Sequence, residues 1–251
     1  MSRILATYNI KGGVGKTSAA VNLAYLAARN GSRTLLWDLD PQGASTYLFR
    51  VRAKVKGGGE KLVRGKSDVE ILIKGTDHER LDLLPADLSY RHMDLALDRA
   101  KRPTRRLARV LAPLADEYDY IFLDCPPSIS LVSESVFGAT AALLVPLIPA
   151  TLSSRTLAQL EKVLADEADD PPRLLPFFSM VDARKRLHRD VMEQIARDHG
   201  GVLEAAVPAA SDVERMGVHR NVVAQFAPRS RAARAYEDLW REVEGRLAPS
   251  P

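Results

Sequence analysis

The sequence predicts an α/β fold: a mostly parallel twisted sheet with helices on both faces. Three observations carry that prediction. Short apolar runs alternate with helical patterns nearly throughout the 251 residues, and parallel strands need such crossovers to be joined. A glycine-rich turn at residues 11–15 lies between the first apolar run and the first helical pattern. The hydrophobic content of 46% is ample for one large core.

The elements follow in order. Residues 4–8 form the first strand and 19–28 the first helix, apolar-periodic along its length. The second strand, 34–38, ends in the acidic run Asp38-Leu39-Asp40. Residues 50–66 carry Gly57, Gly58 and Gly59 among Lys54, Lys56, Lys61, Arg64 and Lys66, and read as a flexible basic loop. A strand at 81–85 precedes a helix after Asp94, with Leu95, Leu97, Leu107, Val110, Leu111 and Leu114 as its apolar positions and Pro103 as a breaker. Strands at 120–124 and 142–147 come next, then a helix at 154–167 that ends before Asp169-Asp170-Pro171-Pro172. A strand at 174–180 is followed by a helix after Leu187, with Val191, Ile195 and Ala196 on one face. The last helix, 232–247, has Ala235, Tyr236, Leu239, Trp240 and Val243 as its stripe. There is no internal repeat and no evident boundary, so 1–251 reads as a single domain.

Bulk properties exclude several classes. No apolar run approaches the 18 or so residues of a membrane span, and strand one begins too early for a signal peptide. One cysteine, Cys125, rules out a disulfide framework and fits a reducing compartment. It reads as a small buried hydrophobe. The five histidines have no metal-ligand spacing. A net charge of +4 permits nucleic-acid binding without establishing it.

The glycine-rich run is Lys11-Gly12-Gly13-Val14-Gly15-Lys16-Thr17. Between a strand and a helix, such a turn lets backbone N–H groups converge on phosphate oxygens, because no Cβ blocks the approach. Lys16 would reach the terminal phosphates and the Thr17 hydroxyl would sit on Mg²⁺. Measured against G-x-x-x-x-G-K-[ST], the run has Ile10 at the first position and adds Lys11 after it.

This pattern resembles the deviant Walker A motif of the ParA/MinD family of P-loop ATPases, closest to its ParA-type, Soj-like members. Residues 35–43, Leu-Leu-Trp-Asp-Leu-Asp-Pro-Gln-Gly, look like the family's second motif, and 120–128 look like its Walker B strand. The resemblance implies a P-loop NTPase fold and ATP with Mg²⁺ as cofactors. It implies that Lys11, Gly12, Gly13, Val14, Gly15, Lys16, Thr17 and Ser18 hold the phosphates. It places Thr17, Asp38 and Asp124 at the metal, Asp124 acting through water, and Asp40 at the attacking water. Lys11, Lys16 and Asp40 are the implied catalytic residues, with Lys11 reaching the partner's nucleotide in an ATP-dependent homodimer. Met180 and Pro208 fall where the family holds the base, although the sequence after Pro208 departs from the family pattern.

In ParA-like dimers the C-terminal part of the sheet carries basic residues for non-specific duplex DNA. The candidates here are Arg184, Lys185, Arg186, Arg189, Arg215, Arg220, Arg229 and Arg231. The implied system is a cytoplasmic, nucleoid-associated positioning ATPase whose hydrolysis is stimulated by a ParB-like or other adaptor protein. Two alternatives stay open: a MinD-like membrane-associated ATPase, and a metabolic ATP-dependent enzyme such as an amidoligase. The C-terminal stretch has two glutamates, no lysine and the breaking tail Pro249-Ser250-Pro251. No stable membrane anchor is therefore expected, and Trp240 is expected to dock on the core.

Overall fold

The computed structural model describes residues 2–167 and 170–248; Asp169 and the tail at 249–251 lie outside them. The strands are β1 (Arg3–Thr7), β2 (Thr34–Asp38), β3 (Lys74–Gly75), β4 (Leu81–Leu84), β5 (Tyr120–Asp124), β6 (Ala142–Leu147) and β7 (Arg173–Phe178). They form one sheet in the order β3-β4-β2-β5-β1-β6-β7. Every pairing is parallel except β3 with β4. All six expected strands are present, shifted by at most two residues at their ends.

Residues of β2, β5 and β6 are buried throughout, because helices cover both faces. Side chains alternate between two cores. Leu5, Leu36, Phe122 and Leu144 face α1 (Lys16–Arg29) and the C-terminal helix. Ala6, Leu35, Ile121 and Leu143 face the opposite layer. That layer holds α4 (Met93–Asp98), α5 (Arg106–Leu111), α6 (Leu131–Phe137), α7 (Thr151–Glu167) and α8 (Arg186–Asp198). The C-terminal helix, α12 (Arg231–Leu247), seats Trp240 edge-on against Tyr120, with ring centroids 5.1 Å apart. The apolar stripe of α12 is thereby taken up by the core, as the sequence suggested.

Two expectations need correction. The stretch 57–59 is not a flexible loop. Gly57 caps α3 (Gly58–Val63), whose Leu62 and Val63 are buried. Gly59 is there for contact: a Cβ on it would lie 2.8 Å from both Met93 Cγ and Tyr90 Cδ1. The helix after Asp94 is in fact several pieces. Arg102 turns left-handed (φ 58°) and Pro103 opens a short 3₁₀ turn before α5. Also unforeseen were β3 and α2 (Ala44–Leu48), as well as three short turns of helix after Pro208, α9 (Ser211–Glu214), α10 (Met216–His219) and α11 (Val223–Phe226). Among the described residues no helix is long and apolar enough to cross a membrane.

Candidate functional site

The site lies at the C-terminal ends of β1, β2 and β5, the central neighbours of the sheet. The register sets Thr7 beside Asp124 and Asp124 beside Asp38, so three polar side chains end three adjacent strands in one row. Apolar residues fill each strand before that point, which leaves the carboxylates at the rim where ligands of open α/β sheets bind.

Residues 9–15 wrap over this row. The Asn9 amide donates to the Pro146 carbonyl (2.8 Å), and its Oδ1 accepts from the Lys11 backbone N–H (2.9 Å). Gly13 and Gly15 have φ of 71° and 97°, a left-handed backbone that glycine adopts without strain. At Gly15 space is limiting too, because a Cβ would sit 2.7 Å from Ser179 Oγ. Val14 is buried and anchors the turn. Lys16 opens α1 with Thr17 and Ser18 in its first turn, where unpaired N–H groups and the helix dipole favour an anion.

Lys16 is 7% exposed, and its ammonium donates to the Lys11 carbonyl at 3.1 Å. Burial lowers its pKa, opposed by the charges of Asp124, Cys125 and Asp40. The Lys11 side chain is exposed at the front of the loop.

Asp38 and Asp124 are both fully buried. Asp38 accepts from the Thr46 N–H (2.8 Å), the Thr46 hydroxyl (2.7 Å) and the Asp40 N–H (3.2 Å). Asp124 accepts from the Ser45 hydroxyl at 2.7 Å. Burial is the main cause that raises both pKa values. Asp124 raises that of Asp38 further, whereas Ser45, Thr17 and Lys16 pull that of Asp124 back. Two neighbouring buried carboxylates are a poor arrangement for protein alone and a good one for a hard cation. With the Thr17 hydroxyl they make an all-oxygen donor set, which fits Mg²⁺. Asp40 is half-buried on the loop after β2, its Oδ1 accepting from the Gln42 N–H at 2.9 Å.

Ser45, Thr46, Thr7, Asn9 and Ser179 are the site residues that sequence reasoning missed. Ser45 and Thr46 carried a signal: paired hydroxyls opening a helix just after the acidic run. Ser179 carried none, since it meets Gly15 across more than half the chain. Met180 follows Ser179 with φ of 56° and is exposed. The chain then pairs Val181 with Pro208, the Val181 N–H donating to the Val207 carbonyl. Met180 and Pro208 are thus brought near the phosphate loop through Ser179. Beside Pro208 a cleft of about 410 Å³ is lined by Val181, Asp182, Arg184 and Arg231.

The basic candidates separate. Arg184 is bound by Asp182 through Nε and Nη2, both 3.0 Å, and this pair lowers the Asp182 pKa to about 2. Arg186 lies 3.6 Å from Asp190. Arg220 is half-buried, its guanidinium 4.4 Å from the Tyr47 ring centroid and donating to the Tyr47 carbonyl. Lys185, Arg189, Arg215, Arg229 and Arg231 are exposed and, among the described residues, have no carboxylate partner.

A family model described as an AAA domain matches residues 2–169. Sporulation initiation inhibitor protein Soj of Bacillus subtilis (strain 168) is 32% identical over 97% of this chain and 98% of its own length. The chain belongs to the ParA/MinD family of P-loop ATPases. Within it the chain is Soj-like: the chromosome-partitioning ATPase Soj of Treponema pallidum is 29% identical over 98% of both chains. Among solved structures, cobyrinic acid a,c-diamide synthase of Mycobacterium smegmatis superposes with a TM-score of 0.85 at 26% identity, covering 97% of this chain and 94% of that one. That structure holds an ATP analogue and magnesium. ATP and Mg²⁺ are the cofactors of this ParA-like ATPase, and the donor set at Thr17, Asp38 and Asp124 suits them.

Proposed function

We propose that this ATPase positions or segregates a cargo by cycling between an ATP-bound dimer on DNA and a released monomer. The placement of Lys11 carries the reading. Lys16 is buried at the start of α1, where it would serve one phosphate chain, while Lys11 stands exposed at the front of the loop. A second cation there has no use within the same subunit and suits a nucleotide presented by a second copy. It would stabilise charge developing on the transferred phosphoryl group, as an arginine finger does. Gly12, Gly13, Gly15 and Lys16 hold the phosphates, and Asp40 orients water. Thr17 with the buried Asp38 and Asp124 would hold Mg²⁺, whose charge would offset that of the phosphates. Hydrolysis then times release, with a ParB-like or other adaptor protein accelerating it.

The DNA surface would draw on the exposed cations at the start of α8 and α12, where Arg189, Arg229 and Arg231 have no ion-pair partner among the described residues and Lys185 faces only Asp182, already held by Arg184. Such binding rests on phosphate contacts and is steeply salt-dependent. On this reading the protein works in the cytoplasm, on the nucleoid. The MinD-like alternative is weakened by the burial of the α12 stripe. The amidoligase alternative draws on the likeness to cobyrinic acid a,c-diamide synthase. It requires ATP turnover stoichiometric with amidation of a carboxylic acid.

The test compares wild type with Asp40→Ala for binding to duplex of arbitrary sequence, with ATP, with ADP and without nucleotide, at low and moderate salt. Wild type should bind with ATP alone and lose binding with salt. Asp40→Ala should retain ATP, run as a dimer in size-exclusion chromatography and stay on DNA. A monomeric, ATP-loaded Asp40→Ala protein refutes the dimer switch.

A further inference from the structure

The outer edge of the sheet carries a second surface that the nucleotide site does not use. Residues 49–56 leave α2 and run past 71–77, enclosing a groove of about 680 Å³. Its walls supply five cations, Arg50, Arg52, Lys54, Lys56 and Lys74, against one acid, Asp77. Arg50 is already engaged, lying 3.6 Å from Asp77 and donating to the His219 carbonyl at 3.1 Å. Lys74 donates to the Ile71 carbonyl at 3.0 Å, which fixes the 71–74 turn. Arg52, Lys54 and Lys56 are exposed and, among the described residues, have no carboxylate partner.

The groove is not only basic. Phe49 and Leu72 close its floor, almost fully buried, and Phe49 sits edge-on to His78 at 5.7 Å. Ile71 stands on the rim at 66% exposure. Beside it, β3 is the outermost strand and pairs on one side only, so its other side is open to an added extended chain.

We propose that this groove docks an acidic, extended segment of a partner protein. The carboxylates of the segment would face Arg52, Lys54 and Lys56, and an apolar side chain would cover Ile71. A phosphate backbone would use the cations and leave the apolar rim in water, so nucleic acid fits this surface less well. No cation here is buried, so the enclosed polar anchors of a small-molecule site are missing. The groove shares no residue with the DNA candidates, and Arg50 ties it to the His219 carbonyl beside Arg220.

The probe is a fluorescein-labelled peptide of glutamates interrupted by one leucine and one valine, followed by anisotropy at low salt. Its controls are the same peptide with glutamine for glutamate and a glutamate-only peptide. The acidic apolar peptide should bind saturably and the glutamine peptide should not. The Arg52→Glu/Lys54→Glu/Lys56→Glu variant should bind it at least ~10-fold more weakly, the sum of several exposed charge pairs. Ile71→Ser should weaken it roughly threefold without affecting the glutamate-only peptide, by loss of apolar contact. All four positions are exposed, and ATP binding should be unchanged as a check on folding. Equal binding of the glutamine peptide, or unchanged affinity in the triple variant, overturns the proposal. So does loss of ATP-dependent duplex binding in the triple variant together with displacement of the peptide by duplex, since the groove would then be a nucleic-acid surface.

Discussion

At the centre of the sheet, Thr7, Asp38 and Asp124 end three neighbouring strands, and each charge there is buried and held by named hydrogen bonds. At the outer edge, Arg52, Lys54 and Lys56 stand on an irregular segment beside a two-residue strand, exposed and without carboxylate partners among the described residues. The centre is preorganised for one small, highly charged ligand. The edge is a surface that a longer and softer ligand could lie along. Charge buried in register gives geometric precision at a cost in stability, whereas charge left in solvent is cheap to keep and weak pair by pair. Substitutions at the centre should therefore change chemistry, and substitutions toward the edge should change packing or association.

The largest effect is expected at Lys16. Lys16→Ala removes the ammonium that sits under the loop and should weaken ATP binding at least ~100-fold, about 3 kcal/mol. Isothermal titration with ATP and Mg²⁺ measures it. The fold should survive, because the alanine suits the first turn of α1 and the lost bond to the Lys11 carbonyl is a single one. ATP affinity within a few-fold of wild type would mean that the central charge is not organised around phosphate.

A smaller effect separates the layer beside the edge from the centre. Gly59 packs against Tyr90 and Met93, and Gly59→Ala would force a Cβ to within 2.8 Å of both. Overpacking of this kind costs about 1–3 kcal/mol. Chemical denaturation should report that loss while ATP affinity stays at the wild-type value. If ATP affinity falls in step, the α3 layer is coupled to the nucleotide site and the two regions are not independent.

The contrast also explains what the sequence could reveal. The central strands are apolar and continuous, so β2, β5 and β6 were legible from composition alone, and the carboxylates were legible from their place after such runs. The glycine turn was legible because φ at Gly13 and Gly15 demands that residue type. The support around the site was not. Ser179 reaches Gly15 through a contact that no local pattern encodes, and the paired hydroxyls of Ser45 and Thr46 are a local signal that does not say which carboxylates they meet. The edge was misread for a different reason. Three glycines among lysines look like a loop, yet Gly57 serves as a left-handed cap (φ 90°) and Gly59 as a contact point. Composition does not distinguish a glycine needed for freedom from one needed for closeness. The short turns after Pro208 were missed because elements of four residues carry no measurable period.

The last comparison concerns pH, and it tests whether the centre waits for a cation. Burial raises the pKa of Asp38 and Asp124 above the ordinary carboxylate value, the charge of Asp124 raising that of Asp38 further and the charge of Asp40 adding to that of Asp124. The native state therefore holds protons that the unfolded chain has already released above about pH 4. Where the native state binds more protons, stability falls as pH rises. In EDTA the denaturation free energy should decline between pH 5 and pH 8 through these two groups. With Mg²⁺ and ADP the carboxylates gain a positive partner, and the decline should shrink or vanish. The same scan on the Arg52→Glu/Lys54→Glu/Lys56→Glu variant should keep the wild-type slope in both conditions, since exposed edge charges do not share in the buried titration. A slope in EDTA that Mg²⁺ and ADP leave untouched would place its origin outside the row at Thr7, Asp38 and Asp124.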